Sequence, residues 1–216
     1  MQYKNDEQFR GGRMSIIIAI KAAENVIIGS DTQTTIGEIV SNDSSKLHLI
    51  NFPVEKTDST EEHQEQFLLG VSGNFYLKDL IRSFKPPFKD DTDSFLDYMY
   101  QHFIPEFQSY LDDYRFMEYR NGGNDISSTC LIIYKTQVYR LNYNLTLEEV
   151  ESEYCAIGSG SEIAYGSLHT SKNNDDIESL MLEKALCACA EHNIYCNDTF
   201  TVYVSNKDGT FIEGCI

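Results

Sequence analysis

The chain reads as an α+β protein in which two stacked antiparallel sheets are covered by helices on both outer faces. Three observations predict this. Apolar, β-branched runs come in adjacent pairs, at 16–28 and again at 129–143, as hairpins require. Two blocks of helical periodicity, one over 75–107 and one over 161–191, are each set between such strand pairs. No internal repeat or low-complexity segment interrupts the order, and 216 residues suit one large domain rather than two.

Residues 1–13, MQYKNDEQFRGGR, have no apolar periodicity and end in Gly11, Gly12 and Arg13. Residues 1–14 are therefore taken as an extension and 15–216 as the domain. Ile16 to Ile20 form an unbroken β-branched run, the pattern of a strand buried on both faces. A second run, Val26 to Ile28, leads to Gly29, Ser30 and Asp31. With Ala22, Ala23 and Glu24 as the loop, pairing centred on Ala23 sets Ser15 opposite Asp31. A hydroxyl and a carboxylate then meet at one sheet end. A polar connection returns the chain to Lys46, ahead of the strand-like Leu47 to Ile50.

Residues 53–66 read as a charged, solvated excursion. Phe67 to Val71 is the next buried strand, and it stops at Ser72, Gly73 and Asn74 before a helix with Phe75, Leu77, Leu80, Ile81 and Phe84 inward. A strand that ends in Gly just before a helix presents a backbone N–H at a close-approach point, the geometry of an oxyanion site. Pro86 and Pro87 end that helix. Asp93 or Ser94 caps another, with Phe95, Tyr98, Met99 and Phe103 as its core stripe and Phe107 beyond Pro105. Residues 112–125 look like turn, ahead of the strands at 129–134 and 137–143. Then comes CAIGSGSEIAYGSL, residues 155–168: strand, Gly-Ser-Gly turn, helix, but without the Lys or the spacing of a nucleotide loop. A long helix follows with Ile177, Leu180, Met181, Lys184, Leu186, Ala188 and Cys189 at helical spacing, then strands at 200–204 and 211–212.

A net charge of −17 argues against sequence-independent affinity for nucleic acid. No apolar run approaches the roughly 20 residues that span a bilayer, and no leader opens the chain, so a cytoplasmic protein with no membrane partner is expected. The six cysteines show no CxxC pair and no His at zinc-ligand spacing, and read as buried free thiols.

The block from Ser15 to Lys46 resembles the start of a proteasome β-type subunit or an HslV-type peptidase, members of the N-terminal nucleophile hydrolases. CAIGSGSEIAYGSL is similar to the AxGSGS(x)xAxGxL signature of proteasome β subunits. The resemblance covers nearly everything from Ser15 onward and implies a four-layer αββα sandwich. It also implies a catalytic set of Ser15, Asp31, Lys46, Gly73 and Ser159, with Ser in place of the family's Thr. By the same likeness Thr35 pairs with an extended peptide, while Thr34, Val71 and Phe75 line the pocket for the side chain before the cut. The buried Asp and Ser that support the family's site fall on Asn193 and Cys196. No cofactor is required by the likeness, which admits a structural Na⁺ or Mg²⁺ on the backbone carbonyls of Ala190, Asn193 and Cys196.

The partners implied are further copies of the chain in a ring or stack, a peptide or unfolded protein substrate, and an ATPase unfoldase. The alternatives are a non-catalytic scaffold of the same fold and an amidase acting on a small molecule. Activity requires a free amine at Ser15, by autoprocessing of a propeptide or by synthesis from Met14 with that Met trimmed. The second is preferred, because self-processing subunits carry Gly before the nucleophile and here the residue is Met14.

Overall fold

A computed structural model describes residues 15–36, 39–42, 45–55, 63–74, 76–120 and 123–214. The chain enters as β1 (Ile16–Lys21) and β2 (Asn25–Asp31), then makes a small hairpin of β3 (Thr34–Ile36) and β4 (Ile39–Ser41). Two long strands follow, β5 (Leu47–Glu55) and β6 (His63–Gly73), then α1 (Tyr76–Ser83) and the two-residue β7 (Lys89–Asp90). One helical stretch runs from α2 (Phe95–Tyr98) through a π-helical segment (Met99–Phe103) into α3 (Ile104–Asp113). After the short β8 (Glu118–Arg120) and β9 (Gly123–Asp125) come β10 (Ser128–Tyr134), β11 (Gln137–Leu141) and β12 (Leu147–Glu149). The chain closes with β13 (Tyr154–Gly158), α4 (Ser161–Asn173), α5 (Glu178–His192), β14 (Phe200–Asn206) and β15 (Phe211–Gly214).

Two sheets carry the fold. One has the order β13-β1-β2-β14-β15, the other β12-β11-β10-β6-β5-β7. Their ladders are antiparallel apart from the short β5–β7 pairing. Because successive side chains of a strand point to opposite faces, the unbroken run in β1 serves two layers at once. Ile16, Ile18 and Ile20 pack outward with Leu168 of α4 and Leu182 and Leu186 of α5. Ile17 and Ala19 pack inward with Leu68 and Leu131 of the other sheet. The outer face of that second sheet is covered by α1, α2 and α3 through an aromatic-rich core that includes Phe52, Phe67, Phe95, Tyr98, Phe103 and Phe107. The four layers are therefore helices, sheet, sheet, helices, as the αββα expectation requires. Gly29 permits the close approach of α5 to β2, since a Cβ there would lie 2.9 Å from Leu186 Cδ1.

The structure corrects several local readings. The β1–β2 hairpin is not centred on Ala23: Ile17 pairs with Ser30 and Lys21 with Val26, which carries Ile16, rather than Ser15, to the level of Asp31. Ala22 N–H bonds to Asn25 C=O at 2.9 Å, so only Ala23 and Glu24 form the tip, and the shorter turn shifts the register. The excursion at 53–66 is shorter than expected, because β5 runs to Glu55 and β6 starts at His63 with Val54 paired to His63. Residues 56–62 lie outside the described residues. Segment 112–125 holds the end of α3 and the β8–β9 pair rather than turn alone.

The helix capped by Ser94, whose side chain accepts from Asp97 N–H, continues through Pro105. A π turn there bonds Ile104 N–H to Met99 C=O and absorbs the N–H that proline lacks. In α5 the buried face is Met181, Leu182, Ala185, Leu186 and Cys189, while Leu180 and, just ahead of the helix, Ile177 are exposed. Four cysteines are buried free thiols, Cys187 is exposed, and Cys215 lies outside the described residues.

Candidate functional site

The site forms where the start of β1, the end of β2 and the end of β13 meet. Asp31 closes β2 and is fully buried. A buried carboxylate must be supplied with donors, and here three converge. Its Oδ1 accepts from Ile16 N–H at 2.9 Å and from Lys46 Nζ at 2.5 Å, and its Oδ2 accepts from Gln33 N–H at 3.1 Å. Lys46 is 6% exposed. Burial lowers its pKa below the ordinary lysine value, and the Asp31 charge and hydrogen bond oppose that shift. Lys46 C=O accepts Val71 N–H at 2.9 Å, which ties the lysine to β6.

Ser15 is buried, and its Oγ has no hydrogen-bond partner among the described residues. An unpaired buried hydroxyl costs stability, about 1–3 kcal/mol in general. Its backbone is held from the β13–α4 turn. Ser15 N–H donates to Ser159 Oγ at 3.2 Å, and Ser15 C=O accepts from Gly160 N–H at 3.3 Å and from the Ser159 hydroxyl at 3.4 Å. The glycine of that turn is dictated by this approach: Gly158 has φ +105°, and a Cβ on it would fall 2.1 Å from Ser15 O. Ser159 does not cap α4. Gly160 occupies the N-cap position, with no side-chain cap bond.

The loop after α5 closes the other side. Asn193 Nδ2 donates to Ser159 Oγ at 3.3 Å while its Oδ1 accepts Tyr195 N–H at 2.9 Å, so the amide orientation is settled by its partners. Burial, reinforced by the Asp31 charge, pushes the Cys196 and Cys189 thiols up to about 12, which makes both inert as nucleophiles at neutral pH.

Gly73 ends β6 with φ +135°, and a Cβ there would lie 2.5 Å from Ser127 O. Ser72 Oγ, also unpaired among the described residues, lies 3.0 Å from the same point beside Gly158 that Ser15 O crowds, so the end of β6 faces the start of β1. Thr34 and Thr35 lie in β3, which pairs only with β4 among the described residues. Ile36 and Ile39 are paired at the end of this ladder, and an antiparallel pair three positions apart in sequence is of the hydrogen-bonded kind. The alternation of the ladder then turns the N–H and C=O of Thr35 to the open edge. Val71 packs into the helix-covered core of the second sheet at 8% exposure, and Phe75 lies outside the described residues.

Ser15, Asp31, Lys46 and Ser159 are thus gathered, with the end of β6 beside them. Sequence reasoning missed Gln33 and the Thr32–Asn197 pair, in which Asn197 Nδ2 donates to Thr32 Oγ1 at 3.0 Å. A Gln two residues after a strand-ending Asp carries no local signal of such a role. Among the described residues no group of three or more His, Cys, Asp or Glu could hold a metal ion. Ala190 lies in the last turn of α5, where carbonyls lack helical partners, and Asn193 C=O accepts Cys196 N–H at 3.0 Å. Neutral carbonyl oxygens of this kind suit a hard cation.

No family model and no curated protein matches the chain. Solved structures do. Thiobacillus denitrificans BPH in complex with epoxomicin matches with a TM-score of 0.65 at 16% identity, over 88% of this chain and 98% of that one. A second structure of Thiobacillus denitrificans BPH matches with a TM-score of 0.67 at 14% identity, over 88% and 97%. Eukaryotic HslV from Trypanosoma brucei matches with a TM-score of 0.57 at 14% identity, over 88% and 99%. The chain has the fold of these proteins along nearly the whole of each.

Proposed function

We propose that the chain is a proteasome-like peptidase that uses Ser15 as an N-terminal nucleophile within a self-compartmentalising oligomer. The observation that carries the reading is the convergence on Ser15: an unpaired buried hydroxyl, its nitrogen on Ser159, and the Asp31–Lys46 pair behind it. The HslV-like fold supports it.

Serine needs an adjacent base, and a free α-amine, which titrates near 8, is one. In the reaction the Ser15 Oγ attacks the carbonyl carbon of the scissile peptide while its proton passes to the Ser15 amine. Gly73 N–H is assigned to the oxyanion of the tetrahedral intermediate, a contact worth roughly 3 kcal/mol. The C–N bond then breaks as the ammonium returns the proton to the leaving nitrogen. Water, deprotonated by the same amine, cleaves the ester and restores the hydroxyl. Lys46 is assigned the positive charge that favours the alkoxide, and Asp31 holds it in place. Thr35 is assigned the pairing with an extended substrate, and Thr34, Val71 and Phe75 the pocket. A Na⁺ or Mg²⁺ on the carbonyls of Ala190, Asn193 and Cys196 would brace the loop that touches Ser159 and supply no chemical step.

The nitrogen of Ser15 is a peptide N–H while residues 1–14 remain attached, so the reading stands on their absence from the working protein. Mass spectrometry of the natively expressed protein is expected to find a chain beginning at Ser15. On a fluorogenic peptide panel Ser15→Ala is expected to abolish turnover, and epoxomicin, present in one of the matching structures, is expected to add to the wild type alone. A native chain that still begins at Met1, or equal turnover by wild type and Ser15→Ala, refutes it.

A further inference from the structure

Gln33 is 7% exposed and sits between the two halves of the site. Its backbone N–H is on Asp31, and its side-chain Nε2 donates to Ile194 C=O at 2.9 Å and to Thr35 Oγ1 at 3.3 Å. The amide orientation is unambiguous, because a backbone carbonyl can only accept. One side chain therefore joins β3, whose open edge carries the Thr35 backbone groups, to the loop after α5. In that loop the next residue back, Asn193, holds Ser159, and Ser159 holds the Ser15 nitrogen. The Ile194 side chain is 82% exposed, so no packing of its own secures the loop at that point. At Ile194 the loop is held by the hydrogen bond from the Gln33 amide, between the Asn193–Ser159 and Thr32–Asn197 bonds on either side.

We infer that Gln33 is a positioning residue that couples occupation of the β3 edge by an extended peptide to the placement of Ser159 and the Ser15 nitrogen. This deepens the peptidase reading and rests on it. A peptide paired along β3 fixes the Thr34–Ile36 backbone. Gln33, anchored to Asp31 on one side and to Thr35 on the other, then holds the Ile194 carbonyl, and with it Asn193, in one position. Binding energy from the part of the substrate that does not react is thereby used at the reacting centre. The coupling predicts that substrates too short to reach β3 gain nothing from Gln33.

Gln33→Met keeps the length of the side chain and removes both donors, while Gln33→Arg keeps N–H donors. On an N-acetylated fluorogenic tetrapeptide Gln33→Met is expected to lower kcat about tenfold, the scale of one lost buried hydrogen bond, with KM little changed. On a single-residue fluorogenic amide its kcat is expected to match the wild type, and Gln33→Arg is expected to recover part of the tetrapeptide rate. Equal loss on both substrates, as a merely structural role would give, or no loss on either, overturns the inference.

A readout free of turnover uses hydrogen exchange in a Ser15→Ala background. The tetrapeptide is expected to protect residues 33–36 and 193–197, and the second protection is expected to vanish with Gln33→Met. Protection at 193–197 that survives Gln33→Met, or none at 33–36, overturns the coupling. If Gln33-dependent protection is found while the wild type cleaves nothing, the coupling stands and the peptidase reading falls.

Discussion

Asp31→Asn tests the centre of the site with one atom changed. The Asp31 carboxylate receives Ile16 N–H, Gln33 N–H and Lys46 Nζ, at 2.9, 3.1 and 2.5 Å, and no part of it reaches solvent. A carboxamide offers one acceptor oxygen, which can keep at most two of these donors. Its NH₂ then faces the third, a donor against a donor. The lysine beside it, 6% exposed, loses the charge that opposes its desolvation.

Removing one partner of a buried ion pair costs about 3–5 kcal/mol. At about 2–4 °C per kcal/mol for a domain of this size, the melting temperature is expected to fall by roughly 10 °C. The stranded Lys46 has its pKa lowered further, so the positive charge near the hydroxyl weakens, and peptide turnover is expected to fall at least about a hundredfold. Thermal melts with circular dichroism, run beside peptide kinetics below the lower melting point, measure both. A variant that melts within about 2 °C of the wild type and retains its turnover refutes the reasoning, since three donors on a fully buried acid could not then matter.

Burial, with Arg82 and Lys78 nearby, lowers His48 from 6.5 to about 4, so the native state binds fewer protons than the unfolded chain between those values. Stability is therefore full above pH 6.5 and is lost as pH falls towards 4, by about 3 kcal/mol from this residue. His48→Leu is expected to remove that share of the loss in urea titrations at pH 7, 5.5 and 4, and equal slopes for both proteins refute it. Gly158→Ala places a methyl on Ser15 O at a φ of +105° and is expected to cost at least about 2 kcal/mol and displace Ser15, read as a lower melting temperature with lost turnover. Leu186→Ala empties the contact between α5 and β2 and is expected to cost about 2–5 kcal/mol in chemical denaturation, with the site residues unchanged.

Ser15, Asp31 and Lys46 were legible as neighbours in one short segment, because a buried double-faced strand and a strand-ending acid are local patterns, whereas Ser159 entered only through the likeness of CAIGSGSEIAYGSL to the β-subunit signature. The covering helices were legible too, with the choice of Ser94 over Asp93 as a cap left to the structure. The register of the first hairpin was not, since one residue more or fewer in the turn leaves the same apolar pattern and exchanges Ser15 for Ile16 opposite Asp31. Phe107 could be set beyond Pro105 in the same stripe, but how the helix passes the proline was not legible, because a π turn has no sequence signature of its own.

The order and periodicity of the apolar runs by themselves pointed to an α+β chain with sheets under helices, and put a serine and an acid at one strand end with a lysine on the same segment. Only the tertiary structure decided which atoms meet: that Ser159 reaches the Ser15 nitrogen across 144 residues of sequence separation, that Asn193 presents its NH₂ and not its oxygen, and that Gln33 spans two loops. The physical reason is one of range. Backbone preference and the sidedness of strands and helices act over a few residues and are written locally. The partner of a buried polar group is chosen by whichever distant atom the packed layers carry within hydrogen-bond reach of it.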